Sequence, residues 1–416
     1  MTEPATSASF WEHFSTRLLT QRRLRAQAVV LVICFWGVLI VDFATPGLFD
    51  RAGNIKFQDF LPLYISGHLV AEHRAIDLYN RGVQQTEIHS LIHESPRVDV
   101  PYLYGPQVGL VVRPFAKLAF PAAARLWVCL SLLVCFLCVY AIWSRCPNLP
   151  SHPYFIVLAT LAFPPLFHFF IRGQLSVLVL VCFTTAYLAM REDRHWFAGI
   201  ALGFLAFKPQ FLVAIPLILL LARAWSILAG LLLSSSLQLA FARVYFGPEV
   251  MSSYVGMLLR MPAWIDIAEL PLASIQMHSL RSFWTLLIPI PQITFALYAL
   301  SSVAVIWIAV IIWKSPSPIP LRFAALTLAA VLINPHIFVY DLLVLAPALM
   351  LLVDWCLAND RHASVQTLEL LAYLAYVLPL FGPLARWTHL QLSVIVFVAI
   401  LWRLRRMPLS QLSPNC

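Results

Sequence analysis

The chain has 416 residues, a formal net charge of +9 and a mean hydropathy of +0.82. It is 61% hydrophobic and 11% charged, where a soluble domain carries about 25% charged residues. These values exclude an ordinary soluble enzyme, and the positive balance reads as Lys and Arg holding loops on the cytoplasmic side rather than as a nucleic-acid footprint.

Apolar runs of membrane-spanning length recur along the chain. They predict an all-α, polytopic transmembrane bundle of about twelve spans, short and broken ones included. Residues 1–26 form a cytoplasmic tail carrying Arg17, Arg22, Arg23 and Arg25. The first span covers residues 27–44 and reads as a signal anchor, because Asp42-Phe43-Ala44-Thr45-Pro46 makes a poor cleavage site. A long polar outer loop follows, residues 45–120, with 107–120 read as a re-entrant or interfacial helix. Spans are then expected at 121–143, 153–171, 174–190, 195–207, 209–222 and 225–246. A second outer loop covers 247–290. The last spans are 291–313, 320–333, 335–354, 366–381 and 389–402. Residues 27–404 thus make one membrane domain, and 405–416 a cytoplasmic tail. The pair divided by Lys208-Pro209 is too short for two full crossings and reads as two short helices meeting at a break.

Orientation follows from the basic residues. With the N-terminus inside, Arg145, Arg191, Arg194, Arg223, Lys314, Arg361 and the run Arg403-Leu404-Arg405-Arg406 all fall inside, in keeping with the positive-inside rule. Cys34, Cys129, Cys135, Cys138 and Cys182 fall in spans, and Cys146, Cys356 and Cys416 near the cytoplasm. No disulfide framework is expected from that distribution.

The same orientation gathers the unusual polar residues on the outer face. Of the 19 Asp and Glu, eight fall between Asp42 and Asp99, and Asp59 among them sits just beyond the first span. An acid at the mouth of a membrane bundle is a functional candidate. The other outer elements are Tyr102-Leu103-Tyr104-Gly105-Pro106, the turn Arg172-Gly173-Gln174, the tip Phe207-Lys208-Pro209-Gln210, and Ser274-Ile275-Gln276-Met277-His278-Ser279. Asn334-Pro335-His336 follows with Tyr340-Asp341 one turn deeper, and Arg386 and His389 lie in the last outer turn.

Each piece also has a plainer reading. Proline at a span end is ordinary helix punctuation, and Lys208 is also what a snorkelling interfacial lysine looks like. Asp59 would serve as a cap for the helix starting near Phe60, and Asp42 either caps the first span or supports the site. His89 and His93 have i,i+4 spacing but no third ligand, which favours a solvated face over a metal site.

The ordered motifs resemble glycosyltransferase family 87, mannosyltransferase-like membrane proteins of the GT-C class. The resemblance runs from about Gln58 to Pro347. It rests on Asp59-Phe60 with Tyr64, Leu78-Tyr79, Tyr104-Gly105-Pro106, Gly173-Gln174, Lys208-Pro209-Gln210, Gln276 with His278-Ser279, and Asn334-Pro335-His336 through Asp341-Leu342. Leu78-Tyr79 lacks the glycine expected before it, and Gly105 stands where a second proline is common.

The resemblance implies a GT-C-like bundle in the plasma membrane and a polyprenyl-phosphate sugar donor. The acceptor would be a glycolipid or glycan used outside the cytoplasm. An acceptor hydroxyl attacking the anomeric carbon needs a base, and Asp59 is the candidate. The departing phosphate gains charge that fixed cations stabilise. Lys208 is the first candidate for this, followed by Arg172, His336 and Arg386. Gln174, Gln276 and Asn334 are candidates for sugar hydroxyls or phosphate oxygens, with Gln210, Tyr64, Tyr104, His278 and Asp341 completing the substrate-binding set. Displacement of this kind inverts the anomeric centre. No cofactor is called for, and no residue cluster demands a divalent cation. The competing class is a transporter or flippase of a lipid-linked or polar solute, which broken helices also mark. No internal repeat relates two halves of the chain.

Overall fold

The structure is a computed structural model, and it describes residues 20–92, 100–267, 275–359 and 363–407. His93, the second member of the His89 pair, lies outside the described residues, as do Arg17, Arg361 and Cys416. Helices dominate, and among the described residues the two β-bridges, Phe49 with Ile55 and Met277 with Phe338, are isolated.

Helix α1, Gln21–Phe43, is followed by a loop that folds back on itself. Lys56 Nζ donates to the carbonyls of Thr45 (2.6 Å) and Phe43 (3.3 Å). Asp42 neither caps α1 nor joins the site; its Oδ1 accepts from Arg51 N–H at 2.9 Å and pins the loop. A 3-10 turn, Gln58–Phe60, enters α2, Leu61–Ala71, and α3, Arg81–Leu91, follows. The segment read as re-entrant is α4, Gln107–Val112, with a 3-10 turn Arg113–Lys117. Six helical residues rise only about 9 Å, so α4 does not cross a membrane. It lies against α2, where a Cβ on Gly67 would stand 2.9 Å from the Val112 backbone.

Beyond it come α5, Phe120–Trp143, α6, Pro153–Leu161, and α7, Pro164–Arg172. The sequence predicts one span over 153–171, and these residues form two helices bent by 60°. Pro164-Pro165 removes two backbone N–H donors and forces Phe163 into an extended conformation, ψ 114°. Next are α8, Ser176–Arg191, and α9, His195–Gly203, which ends in a 3-10 turn Phe204–Phe207. The expected break follows at Lys208. A second 3-10 turn, Pro209–Leu212, leads to α10, Ile215–Leu221.

Helix α11, Trp225–Phe246, crosses α9 closely. A Cβ on Gly199 would stand 2.0 Å from Ile227 O, and one on Gly230 2.3 Å from Trp196 O. Small residues let helix backbones meet this way in a bundle without water. The chain continues through α12, Pro248–Ile267, α13, Leu280–Leu287, and α14, Pro291–Lys314.

Helix α15, Ile319–Ile333, is the axis of the bundle: every residue from Phe323 to Ile333 is buried. It delivers Asn334 and the loop after it, which enters a 3-10 turn Val339–Val344 and then α16, Leu345–Ala358. Helices α17, Ala363–Val377, α18, Ala385–Thr388, and α19, Leu392–Arg405, close the fold. Among the described residues six helical stretches are long and apolar enough to cross a membrane, and seven with the bent pair α6–α7. Helices α8 and α15, with the two arms of the Lys208 break, are apolar but shorter.

Candidate active site

The turn between α7 and α8 organises the site. Gly173 adopts φ +71°, a conformation glycine reaches without steric cost. A Cβ there would stand 3.0 Å from Phe60 Cβ and 3.3 Å from Phe57 Cβ. The turn is therefore pressed against the segment that carries Asp59. Trp127 of α5 fastens both sides: its indole N–H donates to Gly173 O at 3.0 Å, and its ring stacks on Phe60 at 5.6 Å.

Gln174 follows and joins two elements by its amide. Its Nε2 donates to Asp59 Oδ2 at 2.8 Å, while its Oε1 accepts from the Tyr104 hydroxyl at 2.8 Å and from Leu175 N–H at 3.1 Å. Arg172 Nη1 stands 3.7 Å from Asp59 Oδ1, and the Asp59 side chain keeps 14% of its surface exposed. Burial raises the Asp59 carboxyl above its ordinary range, more than the Arg172 charge and the Gln174 hydrogen bond lower it. Asp59 caps neither its own 3-10 turn nor α2; no side-chain cap bond exists at either start.

Behind this group lies a buried ion pair. Lys208 Nζ meets Asp341 Oδ1, the two side chains being 4% and 2% exposed. The same Oδ1 accepts from the Ser176 hydroxyl at 2.6 Å. Lys208 Nζ also stands 5.9 Å from the ring centres of Tyr104 and Tyr340 and 5.8 Å from that of Phe211. Gly105 N–H donates to Phe207 O at 3.2 Å, tying the Tyr104 loop to the helix break. Lys208 is thus already matched by an acid, and the more open cation beside Asp59 is Arg172, at 34% side-chain exposure.

The loop after α15 supplies the remaining wall. Asn334 is fully buried; its Oδ1 accepts from His336 N–H at 2.9 Å and its Nδ2 has no partner. His336 Nδ1 is likewise buried without a partner. Burial lowers the His336 imidazole to about 4, with the Asp341 charge opposing the shift. His336, Phe338 and Tyr340 form an aromatic ladder, with ring centres 4.8 and 5.4 Å apart.

A model of one family, glycosyltransferase family 87, matches residues 102–347, more than half of the chain. The chain belongs to glycosyltransferase family 87. It is therefore a membrane glycosyltransferase. No curated protein and no solved structure matches it. The matched segment holds Tyr104, Gln174, Lys208, Asn334, His336 and Asp341. Asp59 precedes it, and the hydrogen bond from Gln174 is what joins Asp59 to the family segment.

Other candidates from the family resemblance sit apart from this network. The Tyr64 hydroxyl donates to Leu118 O at 2.8 Å, which ties α2 to the segment before α5. His278 is buried, its Nδ1 paired with Ser393 Oγ at 2.7 Å and its ring against Gly382; burial lowers it to about 3. Its backbone N–H donates to Ile337 O at 3.1 Å, so it braces the loop that carries His336. Gln276 is exposed, Gln210 is half-buried, and neither makes a side-chain hydrogen bond among the described residues. Arg386 is exposed in the four-residue α18.

Tyr79 is held to the site loop, its hydroxyl donating to Tyr104 O at 2.8 Å. Ser176, Trp127 and Tyr340 were missed as site residues. Ser176 reads as punctuation at a helix start, and Trp127 as one more apolar residue in a span. Tyr340 carried a signal, its place beside Asp341 just past the Pro-His pair. Among the described residues no group of three or more His, Cys, Asp and Glu stands together as a metal-ligand set.

Proposed function

We propose that this chain moves a sugar, mannose or a similar one, from a polyprenyl-phosphate donor to a hydroxyl of a glycolipid or glycan acceptor. Transfer takes place on the outer face of the plasma membrane and inverts the anomeric centre. The observation that carries this reading is the state of Asp59. Its carboxyl is desolvated enough to be a stronger base than an ordinary aspartate, yet it remains partly open and is aimed by one hydrogen bond from Gln174.

Asp59 takes the proton of the acceptor hydroxyl as its oxygen bonds to the anomeric carbon. The bond from that carbon to the phosphate oxygen breaks, and the phosphate leaves with the electron pair. Arg172 faces the growing negative charge, with the Lys208 ammonium behind it, in surroundings of low dielectric. His336 Nδ1 and the Asn334 amide, both without a protein partner, are suited to donate hydrogen bonds to phosphate or sugar oxygens. Membership of a glycosyltransferase family weighs against the transporter reading.

Asp59→Asn tests the proposal. Asn is nearly isosteric and its carbonyl still accepts from Gln174, so folding and thermal stability in detergent should match the parent. Transfer from a polyprenyl-phosphate sugar to a membrane acceptor extract should fall by roughly 10²–10⁴-fold. A well-folded Asp59→Asn protein that transfers at the parent rate would falsify the base assignment.

A further inference from the structure

A cavity of about 210 Å³ lies between α1, α5, α6, α16 and α17, and the polar network contributes nothing to its lining. Its walls are mostly apolar, built by Ala28 and Leu31 of α1, Phe155 and Ala159 of α6, and Leu349 and Met350 of α16. The hydroxyls of Thr160, Tyr373 and Tyr376 in the lining already donate to Ile156 O, Gln27 Oε1 and Ala159 O, so the space offers little to water, which needs two to four polar partners. In a bilayer the matching occupant is hydrocarbon.

The rim identifies the headgroup. Arg25, exposed on the first turns of α1, places its guanidinium 5.8 Å from the Phe155 ring centre, over a residue that lines the cavity. Arg22 is exposed one turn earlier. Gln27 and Tyr373 cross the cavity edge with a 2.6 Å hydrogen bond. The carboxylate in the lining, Glu369, is already engaged by another group. Helix α1 packs on α6 and α7 through Ala28 against Leu158 and Ala162, Phe35 on Phe167 and Trp36 on Phe170, and the cavity lies beside that contact, where an acyl chain fills a gap that protein does not.

We infer that this cavity is a binding site for one acyl chain of an anionic phospholipid whose phosphate sits at Arg25. The occupant is distinct from any substrate reacting at Asp59. Eighteen residues of α1 separate Arg25 from Phe43, a rise of about 27 Å. Phe43 packs on Phe57, two residues before Asp59. The cationic rim and Asp59 are therefore at opposite ends of the bundle.

The test uses the purified full chain, stripped of lipid in mild detergent, and a phosphatidylglycerol with a photoreactive diazirine on one acyl chain. Labelling should fall on peptides containing residues 28–31 or 155–160. Unlabelled phosphatidylglycerol should compete about fivefold better than phosphatidylcholine, the preference one arginine near a membrane surface gives. Arg25→Gln should remove that preference and keep the labelling. Ala159→Trp, or Ala28→Phe from the α1 wall of the cavity, should remove the labelling.

Equal competition by the two phospholipids, or labelling that persists in a folded cavity-filling variant, marks bulk lipid contact and overturns the inference. Displacement by polyprenyl phosphate in preference to phosphatidylglycerol makes the occupant a donor lipid and overturns it too. None of these readings depends on glycosyl transfer.

Discussion

Gln174 is where the chemistry of single residues converges, because its amide donates to Asp59 and accepts from Tyr104. Burial raises the Asp59 carboxyl above the ordinary value near 3.8, and the Gln174 bond opposes that rise. A general base must be ionised, so transfer should be full above the raised pKa and fall as pH drops through it. Gln174→Leu removes a donor to the carboxylate, raises the pKa further and should move the acid limb of kcat/KM to higher pH. An acid limb in the ordinary carboxylate range, unmoved by Gln174→Leu, would detach the limb from Asp59.

The Lys208–Asp341 pair makes a second prediction at this scale. Removing one partner leaves a buried charge alone, so Lys208→Met or Asp341→Leu should destabilise by about 3–5 kcal/mol. The double variant should recover most of that stability, while transfer stays impaired if the ammonium serves the leaving phosphate. Thermal unfolding and donor kinetics on the same preparations separate the two roles. Full transfer by the double variant would return Lys208 to a purely structural part.

At the scale of elements, short and broken helices place the site. The α7–α8 turn, the Lys208 break and the loop after α15 all end in the same polar network, and each break has a local cause. Gly173→Ala tests the first. A left-handed conformation costs a non-glycine residue roughly 1–2 kcal/mol, and the new Cβ meets Phe60 Cβ at 3.0 Å. The variant should unfold at lower temperature and lose transfer disproportionately, because the Asp59–Gln174 contact shifts with the turn. Gly203→Ala is the control. Its Cβ meets Leu231 O at 2.4 Å in the α9–α11 crossing, so it should destabilise the fold without shifting the pH profile. Matching pH profiles for both variants would show that the turn does not position the base.

For the whole molecule, the distribution of Arg and Lys predicts that the site end faces outward and both termini face inward. Single cysteines at Asn54 and Gln276, both exposed, should react with a membrane-impermeant thiol reagent from outside in a background lacking native cysteines. Cysteines at Asp193 and Lys314, also exposed, should not. The opposite pattern would invert the orientation and move the proposed transfer to the cytoplasmic face.

The chain alone determined the class of molecule. Too few charges and recurrent apolar runs leave a helical membrane bundle as the form in which every backbone group is paired. Prolines and glycines marked the turns at Gly173 and Lys208, because those residues act through local backbone geometry. Asp59, Gln174, Lys208 and Asp341 stood out because polar groups in an apolar chain are costly.

Tertiary structure decided which of them touch. Nothing local pairs Lys208 with Asp341, 133 positions later, or turns Gln174 towards Asp59 rather than solvent. It also sent the Tyr64 hydroxyl to Leu118 and left Gln276 and Arg386 exposed. The bend at Pro164-Pro165 was written in the sequence, but its 60° angle was not. Local signals fix where a helix must end; the neighbours it packs against fix the direction of the next one, and with it which side chains meet.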